Sequence, residues 1–157
     1  MDKKQVLVVD DEKDLTFLIS EILESQGGYD VVIANDGKEA IDKLRSFEPD
    51  IVFLDFVMPA LRGNEVLRFI NENLDKKKTS VILMSGLGEM VYFKKKDAWK
   101  WLPNREIVKE RGEVPELLKW KRSSEEIAQE FGVKAFLPKP FSRETFLEVL
   151  QSINESD

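Results

Sequence analysis

Five polar residues stand directly behind short apolar runs, and their types could do chemistry together. Asp10 and Asp11 follow Val6-Leu7-Val8-Val9, and Asp55 follows Ile51-Val52-Phe53-Leu54. Ser85 follows Val81-Ile82-Leu83-Met84, and Lys139 follows Phe136-Leu137-Pro138. Three carboxylates held close together repel, and their pKa values rise unless a cation offsets the charge. A hard divalent ion does so. Magnesium takes one or two carboxylates directly, keeps several waters and leaves positions for phosphate oxygens. An ionised carboxylate is already a nucleophile and needs no general base. Phosphoryl transfer rests mainly on positioning and charge neutralisation. The set therefore suits attack of Asp55 on phosphorus to give an acyl phosphate. The Lys139 ammonium would neutralise the phosphoryl oxygens, and the Ser85 hydroxyl would donate a hydrogen bond to one of them.

Each residue by itself has a plainer reading. Asp10-Asp11 could cap a helix, Asp55 could be a turn residue, Ser85 a polar strand terminus and Lys139 a solvated lysine. Their placement argues for the chemistry. Apolar runs predict strands at Gln5–Val9, Asp30–Ala34, Ile51–Leu54, Val81–Met84 and Ala135–Leu137. Helical spacing runs through Leu15–Ser25, Lys38–Phe47, Asn64–Asn73 and Ser124–Phe131. Gly27-Gly28 ends the first helix, and Ser142 caps a last one carrying Phe146, Leu147, Val149, Leu150 and Ile153. Strands apolar on both faces, alternating with helices, imply an α/β fold with a doubly wound five-stranded parallel sheet. Ligands bind just past the carboxyl ends of such strands, where all five polar residues fall.

Composition narrows the field. The 157 residues predict a single domain, 1–157. With 42% hydrophobic and 34% charged residues the chain reads as a soluble globular protein. It has no cysteine and no histidine, which excludes disulfides, thiolate chemistry, Ser-His-Asp catalysis and histidine metal sites. Any metal must be held by oxygen. No apolar run nears the roughly 20 residues of a membrane span. Val6–Val9 is too short for the core of a signal peptide, so the expected location is cytoplasmic. A net charge of −6 argues against nucleic-acid binding by the whole chain.

The runs around these residues resemble the receiver domains of two-component response regulators. The resemblance rests on Val6-Leu7-Val8-Val9-Asp10-Asp11-Glu12, on Asp50–Pro59 with Gly63, on Val81–Gly86 and on Phe136-Leu137-Pro138-Lys139-Pro140-Phe141. It covers residues 4–85 and roughly 123–154, and it implies the flavodoxin-like receiver fold. It also implies Asp55 as phosphoacceptor. Asp10, Asp11 and Asp55 would bind magnesium with the Val57 carbonyl, Asp11 directly and Asp10 through water. Lys139 would contact the phosphoryl group, and its bond to Pro140 would be cis. Ser85 and Phe136 would be a switch pair acting on the face of the fourth helix, fifth strand and fifth helix. A sensor histidine kinase or phosphotransfer protein would donate the phosphoryl group, and a downstream protein would read the result. Such domains catalyse only their own phosphorylation and dephosphorylation, and dimers often form through the same face.

The sequence also departs from that family. After the last helix only Glu155-Ser156-Asp157 remain, as in stand-alone regulators, so a DNA-binding output is not expected. Val57 and Leu87 are apolar where polar side chains can orient the attacking water, so slow autodephosphorylation is expected. The spacing from Ser85 to Lys139 is about thirty residues longer than the family's usual value, with the excess at 86–122. This insertion holds Trp99, Trp101 and Trp120 and the run Lys94-Lys95-Lys96. It carries ten basic and six acidic residues, leaving 14 basic and 24 acidic in the remainder. Met90–Leu102, Asn104–Arg111 and Pro115–Lys121 read as short helices, giving a helical insertion between strand 4 and helix 4. Its tryptophans either pack onto the domain or bind a partner. Three other functions compete. A receiver-like protein-binding scaffold would work without phosphorylation. A haloacid dehalogenase-type phosphohydrolase would carry a second aspartate where Val57 stands. A flavodoxin-like nucleotide binder would have a Gly-rich loop after the first strand, and none is present.

Overall fold

The structure, a computed structural model, describes residues 2–56, 58, 63–85, 89–93, 98–102 and 124–156. The elements are β1 (Lys4–Val9), α1 (Lys13–Gln26), β2 (Tyr29–Ala34), α2 (Gly37–Leu44), β3 (Ile51–Asp55), α3 (Gly63–Asn73), β4 (Ser80–Ser85), β5 (Glu89–Phe93), β6 (Ala98–Leu102), α4 (Ser124–Phe131), β7 (Ala135–Pro138) and α5 (Arg143–Glu155). Five strands form a sheet in the order β2-β1-β3-β4-β7, and every pairing in it is parallel.

The apolar runs are continuous because both faces of the sheet are covered. Leu7, Val9, Val52, Leu54, Val81, Leu83 and Phe136 point to one core, with Ala40 and Leu44 of α2, Val66, Leu67 and Ile70 of α3, and Ala128 of α4. The intervening Val6, Val8, Ile51, Phe53, Ile82, Met84 and Leu137 point to the other, with Ile19, Ile22 and Leu23 of α1 and Phe146, Leu150 and Ile153 of α5. Phe146 stacks on Phe53 at 4.9 Å and on Phe141 at 5.8 Å. That contact ties α5 to the centre of the sheet.

Local chemistry fixes the helix ends. Ser142 Oγ accepts from the Thr145 amide at 3.1 Å, as its sequence position predicts. Asp36 accepts from the Glu39 amide, and Glu39 reaches back to the Asn35 amide at 2.9 Å. Gly27 closes α1 at φ 71°, a conformation that favours glycine. No helix among the described residues is long and apolar enough to cross a membrane.

The insertion differs from expectation. The described parts of Met90–Leu102 are strands where a helix was expected: β5 and β6 pair antiparallel, from Glu89 opposite Leu102 to Phe93 opposite Ala98. Val91-Tyr92-Phe93 and the alternation Ala98-Trp99-Lys100-Trp101-Leu102 favour a pleated backbone over a helical one. Trp99 and Trp101 are both strand positions. Asn104–Arg111, Pro115–Lys121, Trp120 and Lys94-Lys95-Lys96 lie outside the described residues.

Candidate functional site

The register gathers the expected residues at one edge of the sheet. Val9, the last residue of β1, pairs with Leu54, so Asp10 and Asp55 leave neighbouring strands side by side. Ser85 ends β4 opposite Pro138, which brings Lys139 to the same edge. The Lys139 amide donates to the Ser85 carbonyl at 2.6 Å, and the Lys139–Pro140 bond is cis, as the resemblance implied.

Asp10 is wholly buried and Asp55 is 3% exposed. Lys139 Nζ donates to Asp10 Oδ2 at 2.5 Å and lies 3.6 Å from Asp55 Oδ1. The Glu12 amide donates to Asp10 Oδ1 at 2.9 Å. Asp10 therefore serves the site and accepts the amide at the mouth of α1, which joins the two readings its sequence position allowed. Asp11 is exposed at the rim. Carboxylate oxygens of Asp10, Asp11 and Asp55 all lie within 4.8 Å of one another.

The electrostatics are those of a crowded acidic pocket. Burial pushes the Asp10 carboxyl above its ordinary range, against the opposing pull of Lys139 and the Glu12 amide. Burial works against the Lys139 ammonium too, but the hydrogen bond to Asp10 and the charges of Asp55, Asp10 and Glu12 outweigh it and hold its pKa high. One ammonium thus stays charged between two buried carboxylates. Three hard oxygen donors with so little opposing charge fit a small divalent cation.

Ser85 is fully buried, and its Oγ has no hydrogen-bond partner among the described residues. A buried orphan hydroxyl costs free energy. Ser85→Ala is expected to raise stability by about 1 kcal/mol, seen as a higher urea midpoint at unchanged m. A lower midpoint would mean that the hydroxyl has a stabilising partner. Phe136 is buried in the core between the sheet and α2, α3 and α4. The Val57 carbonyl and Leu87 lie outside the described residues.

Two residues within the motifs make contacts that the sequence did not reveal. Glu12 brings its carboxylate to 3.8 Å from Lys139 Nζ. Gly63 opens α3 against the end of β3, where an added Cβ would lie 2.3 Å from the Asp55 carbonyl oxygen.

The fold and this pocket are those of a receiver-type signalling domain, and the comparisons with known proteins agree. The response regulator receiver domain model matches residues 6–100, and the chain belongs to that family. The transcriptional regulatory protein PhoP for alkaline phosphatase synthesis of Bacillus subtilis is 42% identical over 69 residues, 44% of this chain and 28% of PhoP. A protein-glutamate methylesterase/protein-glutamine glutaminase of Thermotoga maritima is 40% identical over 86 residues, 54% of this chain and 24% of that protein. The chain thus matches only about a quarter of the length of these curated relatives. Among solved structures, Thermotoga maritima TrrA in complex with Mg(2+)-BeF superposes with a TM-score of 0.61 at 25% identity, covering 96% of this chain and 98% of that one. A Francisella receiver domain superposes with a TM-score of 0.63 at 24% identity, covering 99% of this chain and all of that one.

Proposed function

We propose that this receiver takes a phosphoryl group on Asp55 and that residues 1–157 act as one domain with 86–122 inserted in it. The observation that carries the reading is the pair of buried carboxylates, Asp10 and Asp55, sharing the Lys139 ammonium beside Asp11. An Asp55 oxygen attacks phosphorus in line with the leaving group, which departs with the electron pair. Lys139 moves its hydrogen bonds from Asp10 toward the phosphoryl oxygens. Ser85 Oγ gains the acceptor it lacks, and Phe136 follows it. Asp11 and Asp55 would hold magnesium directly, with Asp10 through water and the Val57 carbonyl. The ion would supply positive charge at the phosphoryl oxygens.

The donor class is a sensor histidine kinase or phosphotransfer protein, and the reader is a protein docking on the face of α4, β7 and α5. The insertion, with Trp99, Trp101 and Trp120, would contact that reader. The chain works in the cytoplasm as a signalling protein, with catalysis confined to its own phosphorylation and its slow reversal.

Acetyl phosphate with magnesium is expected to add one phosphoryl group by intact mass, and Asp55→Ala to abolish the gain. No gain from acetyl phosphate or from a phosphorylated donor protein would favour the alternative, a protein-binding scaffold that works without phosphorylation. Val57→Asn is expected to shorten the acyl-phosphate lifetime, because a polar side chain there can orient the attacking water. An unchanged decay rate would remove Val57 as the cause of slow loss.

A further inference from the structure

Glu12 holds the N-cap position of α1, with extended backbone at φ −81° and ψ 101°, yet its side chain makes no capping hydrogen bond. Serine or asparagine at such a position stabilises a helix by about 1 kcal/mol relative to a residue that does not cap. Capping therefore gives no reason for glutamate here, and the helix dipole only a mild preference for an acidic group, but the site gives a specific one. Glu12 Oε1 lies 3.8 Å from Lys139 Nζ, the ammonium that also faces Asp10 and Asp55. The Glu12 side chain is 66% exposed while that of Lys139 is 11% exposed. The carboxylate thus stands on the solvent side of a buried cation. Through its amide the same residue holds Asp10 Oδ1.

An incoming phosphoryl group must reach Asp55 beside this ammonium, and Glu12 already faces the same cation. Like charges about 6 Å apart across solvent, screened by physiological salt, change a rate or an affinity by about twofold per unit charge and threefold for a double charge. Resting on the Asp55 reading above, we propose that Glu12 is a positioning residue that sets phosphodonor preference. Its charge strengthens cation binding by the acidic triad and holds off dianionic small donors. With acetyl phosphate, the Asp55 oxygen forms the new O–P bond, the old P–O bond breaks, and acetate leaves with the electron pair. With zwitterionic phosphoramidate, the P–N bond breaks and ammonia leaves, its protons already in place. The second donor carries less net negative charge past Glu12.

The test compares wild type, Glu12→Gln and Glu12→Ser. Serine suits the N-cap, so a damaged helix cannot explain its effects. Second-order labelling rates are measured for both donors at saturating magnesium, and magnesium affinity is measured by calorimetry. The expected result is a rate with acetyl phosphate about threefold higher, a smaller rise with phosphoramidate, and magnesium affinity about threefold weaker. All three differences shrink in roughly 1 M salt, where the Debye length is about 3 Å. Structural damage would lower rates and affinity together, whereas the charge moves them in opposite directions. Equal changes with both donors, or slower labelling, overturn the proposal. Unchanged magnesium affinity overturns it whether or not the protein is labelled. If affinity falls as expected but wild type takes label from neither small donor nor from a phosphorylated donor protein, the hold of Glu12 on the cation stands and the Asp55 reading fails instead.

Discussion

Lys139→Met is expected to cost the fold about 3 kcal/mol in the absence of divalent ions. Removing one partner of a buried pair leaves the other's charge uncompensated, and here Asp10 loses its ion-pair partner and Asp55 a nearby positive charge. Asp10 is wholly buried and bonded to Lys139, and Asp55 is 3.6 Å from the same ammonium. Methionine keeps most of the volume and apolar stem, so packing contributes little. Urea denaturation would read the loss. Combining Lys139→Met with Asp10→Asn should restore much of it, because the stranded charge is gone. Magnesium should offset part of it by mass action, about 1.4 kcal/mol at ten times the dissociation constant. A single variant as stable as wild type without magnesium would show that Lys139 does not carry the charge balance of the pocket.

Gly63→Ala is the second large effect. A Cβ there would meet the Asp55 carbonyl oxygen at 2.3 Å, Phe56 Cα at 2.6 Å and the Phe56 carbonyl oxygen at 3.0 Å. All three are backbone atoms, so no side chain can rotate away. The start of α3 and the end of β3 must separate, at about 2–3 kcal/mol. Asp55 moves with them, and a misplacement near 1 Å can slow a positioned reaction about a hundredfold. The labelling rate at Asp55 should therefore fall well beyond the stability loss. Gly28→Ala is the contrast. It strains a positive φ of 82° but meets nothing within 4 Å, so it should cost stability and leave labelling unchanged. Equal labelling rates in the two variants would refute the steric account of Gly63.

The sequence revealed most of what positions the site. Buried parallel strands read as continuous apolar runs, so the five strands and the residues behind them were legible to within a residue or two. The close approach at Gly63 was not, because it depends on a contact between α3 and the end of β3 that no spacing encodes. Glu12 was equally hidden, since its meaning comes from Lys139, 127 positions away. The stretch that holds β5 and β6 reads as helix in the sequence because Met90–Leu102 supports both periods. Pairing of Tyr92 with Trp99 and Met90 with Trp101 settled it. The resemblance implies that Lys139 contacts a phosphoryl group; here it bonds Asp10 directly and faces Asp55 at longer range.

The order of the strands has a kinetic consequence. Lys4 pairs with Tyr29 and Ile51 with Ser80, whereas Ile82 must find Ala135, 53 positions away. Closure entropy costs about 0.6 kcal/mol per doubling of a loop, so the pairing of β7 costs more than those of β1 with β2 and β3 with β4, and slightly more than that of β1 with β3, where Val6 meets Ile51. The strand with the longest closure delivers Lys139. Docking of β7 then brings the counter-charge to three carboxylates already gathered, and this step relieves their mutual repulsion. Ionic strength and divalent cations act on the speed at which this chain folds, as well as on the state it reaches.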